Sequence, residues 1–560
     1  MNRKNGDASH FFTPSIRTVP ILLVVVSLVL CAVGIHFGLP YLYHDDEQII
    51  VKRALRFGSG DLNPHFFLYP SLHMYILFLG YGVYFFAGVI LGFFSSVRDF
   101  AHLYINNPTS FYLIGRGLNV VFATGIVVMT YLVGKKLYDE TTGLLGGLFL
   151  IAIPNFIDTA HFIKNDVPML FILMIFFYIV MQIYYTGERK FYVLSGLTLG
   201  LAAATKYNAI ILAPIIVLVH LLYSYSPARG RVRMTFKNLL FNTNLVLSGV
   251  FIVIGFVVGC PFAVLDFKTF YRHFSGVLIF IATDKKFGQS GALLNYSKLI
   301  LYIGGNRPLL GIICILGVIA GVLRRKKEDL IVISTILIIY VVCIRQRIQQ
   351  WQYLYPAFPF LAISGARLVG DSYKLISQKL KIVFVIIMSL ILLDPMVQSA
   401  LNDYLISQKY ARTLAKEWIE ANIPKNAKII VDNHGPQLLR SKELIRKQYE
   451  QSVKLGHLKE DYFKLQLEAL PDGGYNWYQI KRAVIAPKEI GDYSQMVELS
   501  ERIDLGKEYL KQKGFEYIVI SKGKEIDEEE EMFDKTYKLL KEFKPKIYNK
   551  CDFRIKIYKI

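Results

Sequence analysis

A chain of 560 residues that is 53% hydrophobic, 14% aromatic and only 19% charged falls short of the roughly 25% charge of an average soluble domain. The deficit is local, because long apolar runs alternate with short polar loops up to residue 400 and ordinary globular sequence follows. The net charge of +21 comes without any run of Lys and Arg interleaved with aromatics, which argues against a nucleic-acid groove and for cytoplasmic loops and contact with anionic lipid.

The amino terminus carries Arg3, Lys4 and Arg17 ahead of the apolar run 21–39. A signal peptide begins this way, but the run is long enough to span and no small-residue cleavage site follows, so it reads as an uncleaved anchor. Further apolar segments lie near 70–94, 112–133, 143–154, 167–185, 191–204, 208–223, 239–261, 308–323, 329–344, 353–369 and 382–400. Several are shorter than the roughly 20 residues a crossing needs, so neighbouring semi-polar residues extend them.

The segment 70–94 decides the topology. One basic loop holds Arg229, Arg231, Arg233 and Lys237; another holds Arg324, Arg325, Lys326 and Lys327. The positive-inside rule wants both on the side of Arg3, Lys4 and Arg17. Counting allows that only if 70–94 does not cross, so it reads as a juxtamembrane or re-entrant segment on the outer face. Lys135 and Lys136, Arg189 and Lys190, and Lys379 and Lys381 then also fall inside. The expected architecture is an α-helical polytopic membrane protein of about eleven spans plus juxtamembrane helices. Residues 1–400 form its membrane-embedded domain and 401–560 an extracytoplasmic, soluble α/β domain. The expected location is the cell membrane, with the amino terminus cytoplasmic.

The charges placed outside need an explanation. Tyr43-His44-Asp45-Asp46-Glu47-Gln48 follows the first span and opens an amphipathic stretch with Ile49, Ile50, Arg53, Ala54 and Phe57 at helical spacing. Two compatible readings apply. Asp45 is an N-cap with Gln48 at N3 and Asp46 complements the helix dipole, or a carboxylate is held at the membrane surface by its short tether as a general base. Asp166, in Asn165-Asp166-Val167-Pro168, likewise reads as a helix-start carboxylate capped by Asn165 or as a second acid of a shared site. Lys206, in a hairpin between two spans, and Arg345 and Arg347 break the positive-inside trend. Such cations either snorkel to headgroups or hold an anion, for which a phosphate is the natural partner. His65 and Tyr69 lie in a turn-rich, aromatic stretch broken by Asn63-Pro64 and Tyr69-Pro70. Tyr353, Tyr355, Trp351 and Trp477 read as interfacial belt, core or substrate platform.

The order of these motifs resembles a family. One span is followed by Asp46-Glu47, an amphipathic helix, the Tyr69-Pro70-Ser71-Leu72 turn and a second surface helix. A span from near Arg116 to Gly134-Lys135-Lys136-Leu137-Tyr138 comes next, then Asn165-Asp166-Val167-Pro168 and Thr205-Lys206-Tyr207. Over residues 15–400 this is similar to the protein O-mannosyltransferase-like glycosyltransferases of family 39, with the GT-C membrane fold, and to their aminoarabinose-lipid A transferase branch. The resemblance implies transfer of a sugar, with inversion, from a polyprenyl-phosphate carrier to a protein, lipid or glycan acceptor on the outer face. It implies Asp46 as the base, Asp166 as the second acidic position and Lys206 beside the carrier phosphate. Arg345 and Arg347 are further candidates for the phosphate, and Glu47, Arg53, His65 and Tyr69 for substrate contact. The sequence departs from the pattern at Tyr69, where relatives often carry a basic residue, and at Ile49, where the aminoarabinose branch has an arginine. Arg53, Arg345 or Arg347 is the candidate replacement for that charge.

No cofactor is assigned. Asp45, Asp46 and Glu47 offer oxygen ligands to a divalent ion, but adjacent carboxylates without other ligands are weak evidence. Five cysteines without CxxC or metal-ligand spacing suggest neither a disulfide framework nor a zinc site.

In the tail, 411–422 reads as a helix, 428–432 and 515–521 as buried strands, 503–513 as a helix capped by Gly514, and 553–558 as an edge-like strand. The alternation predicts a three-layer α/β domain. Asp527 to Glu531 reads as a solvated helix start. A transporter or lipid flippase is the alternative function, but transport pathways usually need ionisable residues near the midplane and these spans contain few. A non-catalytic receptor is a third.

Overall fold

A computed structural model describes residues 18–224, 242–282, 291–345, 350–454, 460–479, 507–524, 528–546 and 552–560. Arg3, Lys4, Arg17, the 229–237 basic loop, Arg347, Asp527 and Cys551 lie outside the described residues. The chain forms two compact units. The first comprises residues 1–33, 63–76 and 116–401; the second comprises 34–62, 77–115 and 402–560.

The first unit is a bundle of apolar helices. Helices Arg189–Ala203 and Thr243–Gly259 pack through glycines four apart, Gly196 with Gly200 and Gly255 with Gly259. A Cβ on Gly196 would strike the Ser248 carbonyl, one on Gly200 the Ile252 carbonyl, and one on Gly255 the Leu197 carbonyl. Between lipid-solvated helices, apolar burial gives little drive, so close backbone approach through small residues supplies the packing.

Charges gather at one end of this bundle. Tyr138 donates to Asp329 at 2.8 Å, Tyr185 to the Lys136 carbonyl at 2.8 Å and Tyr184 to Glu328 at 3.1 Å. Lys327 donates to the Leu222 carbonyl at 3.3 Å, and Tyr223 to the Thr186 carbonyl at 3.0 Å. The loops carrying Lys135 and Lys136, Arg189 and Lys190, and Arg324 to Lys327 therefore meet at a common end. Arg324 there pairs with Asp329 at 2.9 Å, and Arg367 and Lys374 pair with Asp139 at 2.8 and 3.0 Å. Burial alone pushes the Asp139 carboxyl up, but the Thr142 hydroxyl and amide and the Lys374 ammonium hold it at about 2. The sequence reading put these three basic loops on one side, and the contacts join them.

Five runs among the described residues are long and apolar enough to cross a membrane: Leu72–Ile90, Thr109–Leu137, Asp166–Thr186, Tyr207–Ser224 and Gln378–Asn422. The helices Glu140–Ile151 and Pro154–Ala160, bent by 69°, make a sixth if taken as one broken span. Shorter apolar helices lie at Pro20–Ala32, Thr243–Gly259, Ala292–Leu301 and Leu309–Arg324. The count of about eleven draws on such short helices. The segment that the parity count removes from the spans is itself a 19-residue apolar helix, Leu72–Ile90. Composition does not separate it from a span.

The second unit contains a five-stranded sheet. Strands β1 (Lys428–Val431), β2 (Asn476–Gln479), β3 (Tyr517–Lys522), β4 (Lys538–Phe543) and β5 (Arg554–Lys559) lie in the order β2-β1-β3-β5-β4. The pairs β1–β2 and β1–β3 are parallel; β3–β5 and β4–β5 are antiparallel. Alternation along the strands makes three layers. Ile429, Val431, Val519, Ile555 and Ile557 face the helix Ala411–Asn422, whereas Ile430, Ile518, Ile520 and Tyr558 face Leu510 and Phe533 of the helices Lys507–Gln512 and Glu528–Thr536. Two expectations need correction. The last strand is not an edge but lies inside the sheet, since β4 covers it. The acidic helix start is not simply solvated. Glu530 is fully buried and accepts from Arg554, with Lys556 at 2.9 Å, because two cations on β5 need a carboxylate once they are buried.

The glycine contact yields a first prediction. Gly200→Leu forces the two backbones apart and costs about 1–3 kcal/mol by overpacking, lowering the thermal midpoint of the purified protein. Gly249→Ala, where no atom lies within 4 Å of the added Cβ, leaves it unchanged. Equal midpoints for both variants would contradict the packing account.

Candidate active site

The end of the first unit away from the basic loops carries the other polar groups. Asp166 is the first residue of the helix Asp166–Thr186, with Asn165 at the N-cap. A carboxylate there complements the helix dipole, and 21 residues place it about 30 Å from Thr186. Lys206 precedes the 3-10 turn Tyr207–Leu212, where the Arg189–Ala203 helix ends. Lys206 Nζ donates to Asp166 Oδ1 at 2.6 Å, with side-chain exposures of 17% and 7%. The ammonium also lies 5.8 Å from the ring centroid of Tyr353. Two residues singled out separately in the sequence thus form one buried ion pair, and Tyr353 is a ring beside the cation.

The 63–76 segment ties these elements together. The Leu72 amide donates to the Ala204 carbonyl at 3.1 Å and the Ser71 hydroxyl to the Gly259 carbonyl at 3.2 Å. The Tyr207 hydroxyl donates to the Phe67 carbonyl at 2.8 Å. His73, buried, has its Nδ1 2.7 Å from Asn165 Oδ1. The Tyr69-Pro70-Ser71-Leu72 turn is therefore stitched to both the Asp166 helix start and the Lys206 hairpin. Asn119 donates to the Phe162 and Lys164 carbonyls, holding the chain just ahead of Asp166. His65 takes another partner. Its Nδ1 is 4.0 Å from Asp266, which also accepts from Asn63 at 2.8 Å. Tyr69 lies 6.1 Å from Phe66, ring to ring. Arg345 is exposed where the helix Lys327–Ile344 ends.

In the second unit, Asp46 and Glu47 sit in the first turn of the helix Asp45–Arg56. The N-cap is His44, not Asp45, and Gln48 donates to the Leu42 carbonyl at 2.8 Å, so the expected capping box does not form. Asp46 is half-buried and Glu47 fully buried. Asp46 and Glu47 are successive residues of the helix, about 100° apart around its axis. Arg53 donates to the Ile49 carbonyl at 3.2 Å.

The chain before this helix is clamped. Gln437 exchanges two hydrogen bonds with the Leu42 backbone, at 2.9 and 2.6 Å. Arg412 donates to the Tyr43 carbonyl at 3.2 Å and lies 4.3 Å from the Tyr43 ring centroid, while the Tyr43 hydroxyl is 2.7 Å from Thr413 Oγ1. Burial pushes the Tyr43 phenol well above its usual range. Burial likewise pushes Asp552 up to about 6, although it accepts from the Ala411 amide and lies near Arg412. The tether read from sequence as a link to the first span is thus also a link to the helix that opens the sheet domain.

Sequence reasoning missed His73, Asn119 and Asp266. It used Arg116 only to mark a span, yet that side chain is fully buried and within electrostatic reach of His161. A polar residue inside an apolar run was the available signal for His73, Asn119 and Arg116.

Comparisons with known proteins fit this picture. Residues 114–255 match the family model described as dolichyl-phosphate-mannose-protein mannosyltransferase. No curated protein matches the chain in sequence. Among solved structures, apo ArnT from Cupriavidus metallidurans is similar at a TM-score of 0.52 and 13% identity over 98% of each chain. ArnT bound to undecaprenyl phosphate gives 0.50 at the same identity and coverage. The apo oligosaccharyltransferase of Archaeoglobus fulgidus aligns at 0.49 and 13% identity, over 92% of this chain and 70% of its own.

The ion pair gives a second prediction. Lys206→Met leaves the Asp166 carboxylate buried without its cation, at a cost of about 3–5 kcal/mol, seen as a lower thermal midpoint. Asp166→Leu combined with Lys206→Met recovers much of that loss. A single variant as stable as wild type would show that the pair does not hold the helix ends together. At 13% identity the likeness to ArnT is one of fold, and together with the mannosyltransferase match it bears out the resemblance to the protein O-mannosyltransferase-like GT-C glycosyltransferases.

Proposed function

We propose that the chain is an integral membrane glycosyltransferase that moves a sugar from a polyprenyl-phosphate carrier to a hydroxyl-bearing acceptor at the outer membrane surface. The observation that carries the reading is the Asp166–Lys206 pair with its neighbouring Tyr353 ring, at the bundle end opposite the joined basic loops. By the positive-inside rule we read those loops as cytoplasmic, with Lys206 at the outer surface and the amino terminus inside. The contacts of the Leu72–Ile90 helix favour the non-crossing reading. Tyr81 donates to the Phe111 carbonyl at 3.2 Å, and Tyr84 and Phe85 meet Phe94 and Phe100, all ahead of or at the start of the Thr109–Leu137 span.

The chemistry divides between two groups. The acceptor oxygen attacks the anomeric carbon, the bond from that carbon to the phosphate oxygen breaks, and the carrier leaves as a phosphate holding the electron pair. Asp46 takes the acceptor proton, as a positioned general base. Lys206 stabilises charge on the leaving phosphate, and Arg345 and Arg347 add cations. Asp166 acts through Lys206, holding the ammonium in place and offsetting its charge until a phosphate arrives. That ArnT was solved with undecaprenyl phosphate fits a polyprenyl-phosphate donor. Glu47, Arg53, His65 and Tyr69 are the candidate contacts for sugar and acceptor. Transport is less well supported: the well-buried ion pairs of the first unit among the described residues, Asp166–Lys206 and Arg324–Asp329, sit at helix ends, not at the midplane where a pathway needs them.

The test is a transfer assay in membranes with a panel of polyprenyl-phosphate sugars. Asp46→Asn is expected to lower turnover by about 10²–10⁴-fold while the protein keeps its wild-type thermal midpoint. Normal transfer by the variant would remove Asp46 from the base role. No turnover with any donor would favour transport.

A further inference from the structure

The helix Phe267–Ala282 has two different sides. Its inner side packs behind the Lys206 hairpin. Phe270 lies 5.6 Å from Phe67 and 6.2 Å from Phe256, Phe274 lies 5.1 Å from Tyr207, and His273 Nδ1 accepts from the Phe67 amide at 3.2 Å. Its outer side is bare. Phe267 and Tyr271 are each 61% exposed and Leu278 is 50% exposed. At 3.6 residues per turn these three fall within an arc of about 40°. Lys268 and Arg272, both exposed, stand one turn apart on the adjoining arc.

The bare strip continues a surface that is already apolar. Val264 and Leu265, just ahead of the helix, are exposed, and the apolar helix Thr243–Gly259 before them exposes Val246, Val250, Val253 and Val258. Exposed apolar side chains in this number, on successive elements of the chain, mark an interaction surface. Its continuity with an exposed apolar helix, its two aromatics and its flanking cations match the chemistry of a bilayer interface, where rings sit at headgroup depth and cations meet anionic lipid.

We propose that Phe267–Ala282 is an interfacial helix seated in the leaflet at the Asp166–Lys206 end. Phe267, Tyr271 and Leu278 lie among the acyl chains, and Lys268 and Arg272 contact anionic headgroup phosphates. Because its inner side holds Tyr207, the residue after Lys206, lipid contact supports the hairpin that presents the cation. The assignment does not depend on the transfer reaction.

The full-length protein is reconstituted in vesicles of phosphatidylcholine, alone or mixed with phosphatidylglycerol. Both carry a lipid with a photoreactive diazirine on its acyl chain, and adducts are mapped by peptide mass spectrometry. Phe267, Tyr271 and Leu278 are expected to label as densely as Val250 and Val258, and the buried His273 hardly at all. Labelling of the strip is expected to rise with phosphatidylglycerol, and Lys268→Gln combined with Arg272→Gln is expected to abolish that rise. Adducts at Val250 and Val258 but none at Phe267 or Tyr271 would overturn the proposal. So would cross-links from this strip to a second copy of the chain. Labelling indifferent to phosphatidylglycerol would overturn the headgroup contact.

Discussion

The arrangement of the first unit depends on one ion pair. Asp166 and Lys206 come from different helices, and each is costly to bury alone. At 2.6 Å they solve each other's problem, and in doing so they lock the start of one helix to the end of another. The surrounding contacts serve this junction. The 71–73 backbone and side chains reach the Ala204 carbonyl, the Gly259 carbonyl and Asn165, and the glycine contact brings the Arg189–Ala203 helix close enough to present the hairpin. On the proposed function this pair would receive an anion. A phosphate that approaches Lys206 competes for an ammonium already desolvated and oriented, and a preoriented cation loses little on binding.

Charge is sorted along the bundle. Cations and carboxylates interlock at one end through Asp139, Arg324, Asp329 and Arg367, while the other end carries the Lys206 site. The second unit adds a constraint of its own. Arg412 and Gln437 grip the backbone at Tyr43 and Leu42, three and four residues before Asp46. These contacts fix the chain that enters the Asp45–Arg56 helix, which on the proposed function would help to orient Asp46. The sheet domain thereby has a structural task even before any acceptor is considered.

Much of this was legible in the sequence, and the exceptions have physical reasons. The helix Ala411–Asn422 and strand β1 follow directly from periodicity and apolar runs. Asp166 and Lys206 stood out because charges at span ends demand partners. Their mutual pairing was not legible, since 40 residues separate them and spacing carries no information across helices. His73 and Asn119 were hidden inside apolar runs, where a single polar side chain barely changes hydropathy. The interior place of β5 was missed because its alternating cations imitate an edge; Glu530 and Asp534, from a helix read as solvated, supply the carboxylates that let them be buried. The cap at His44 differs from the predicted Asp45 by one residue, within the usual uncertainty of helix ends.

The central claim is that Lys206 is held ready for the phosphate of a polyprenyl carrier. Titration of the purified full-length protein with undecaprenyl phosphate tests it without needing the sugar or the acceptor. The account predicts saturable binding that weakens by about tenfold or more in Lys206→Gln, the loss of one charge-assisted hydrogen bond. Binding equally tight in that variant, or no saturable binding to the wild-type protein, would contradict it.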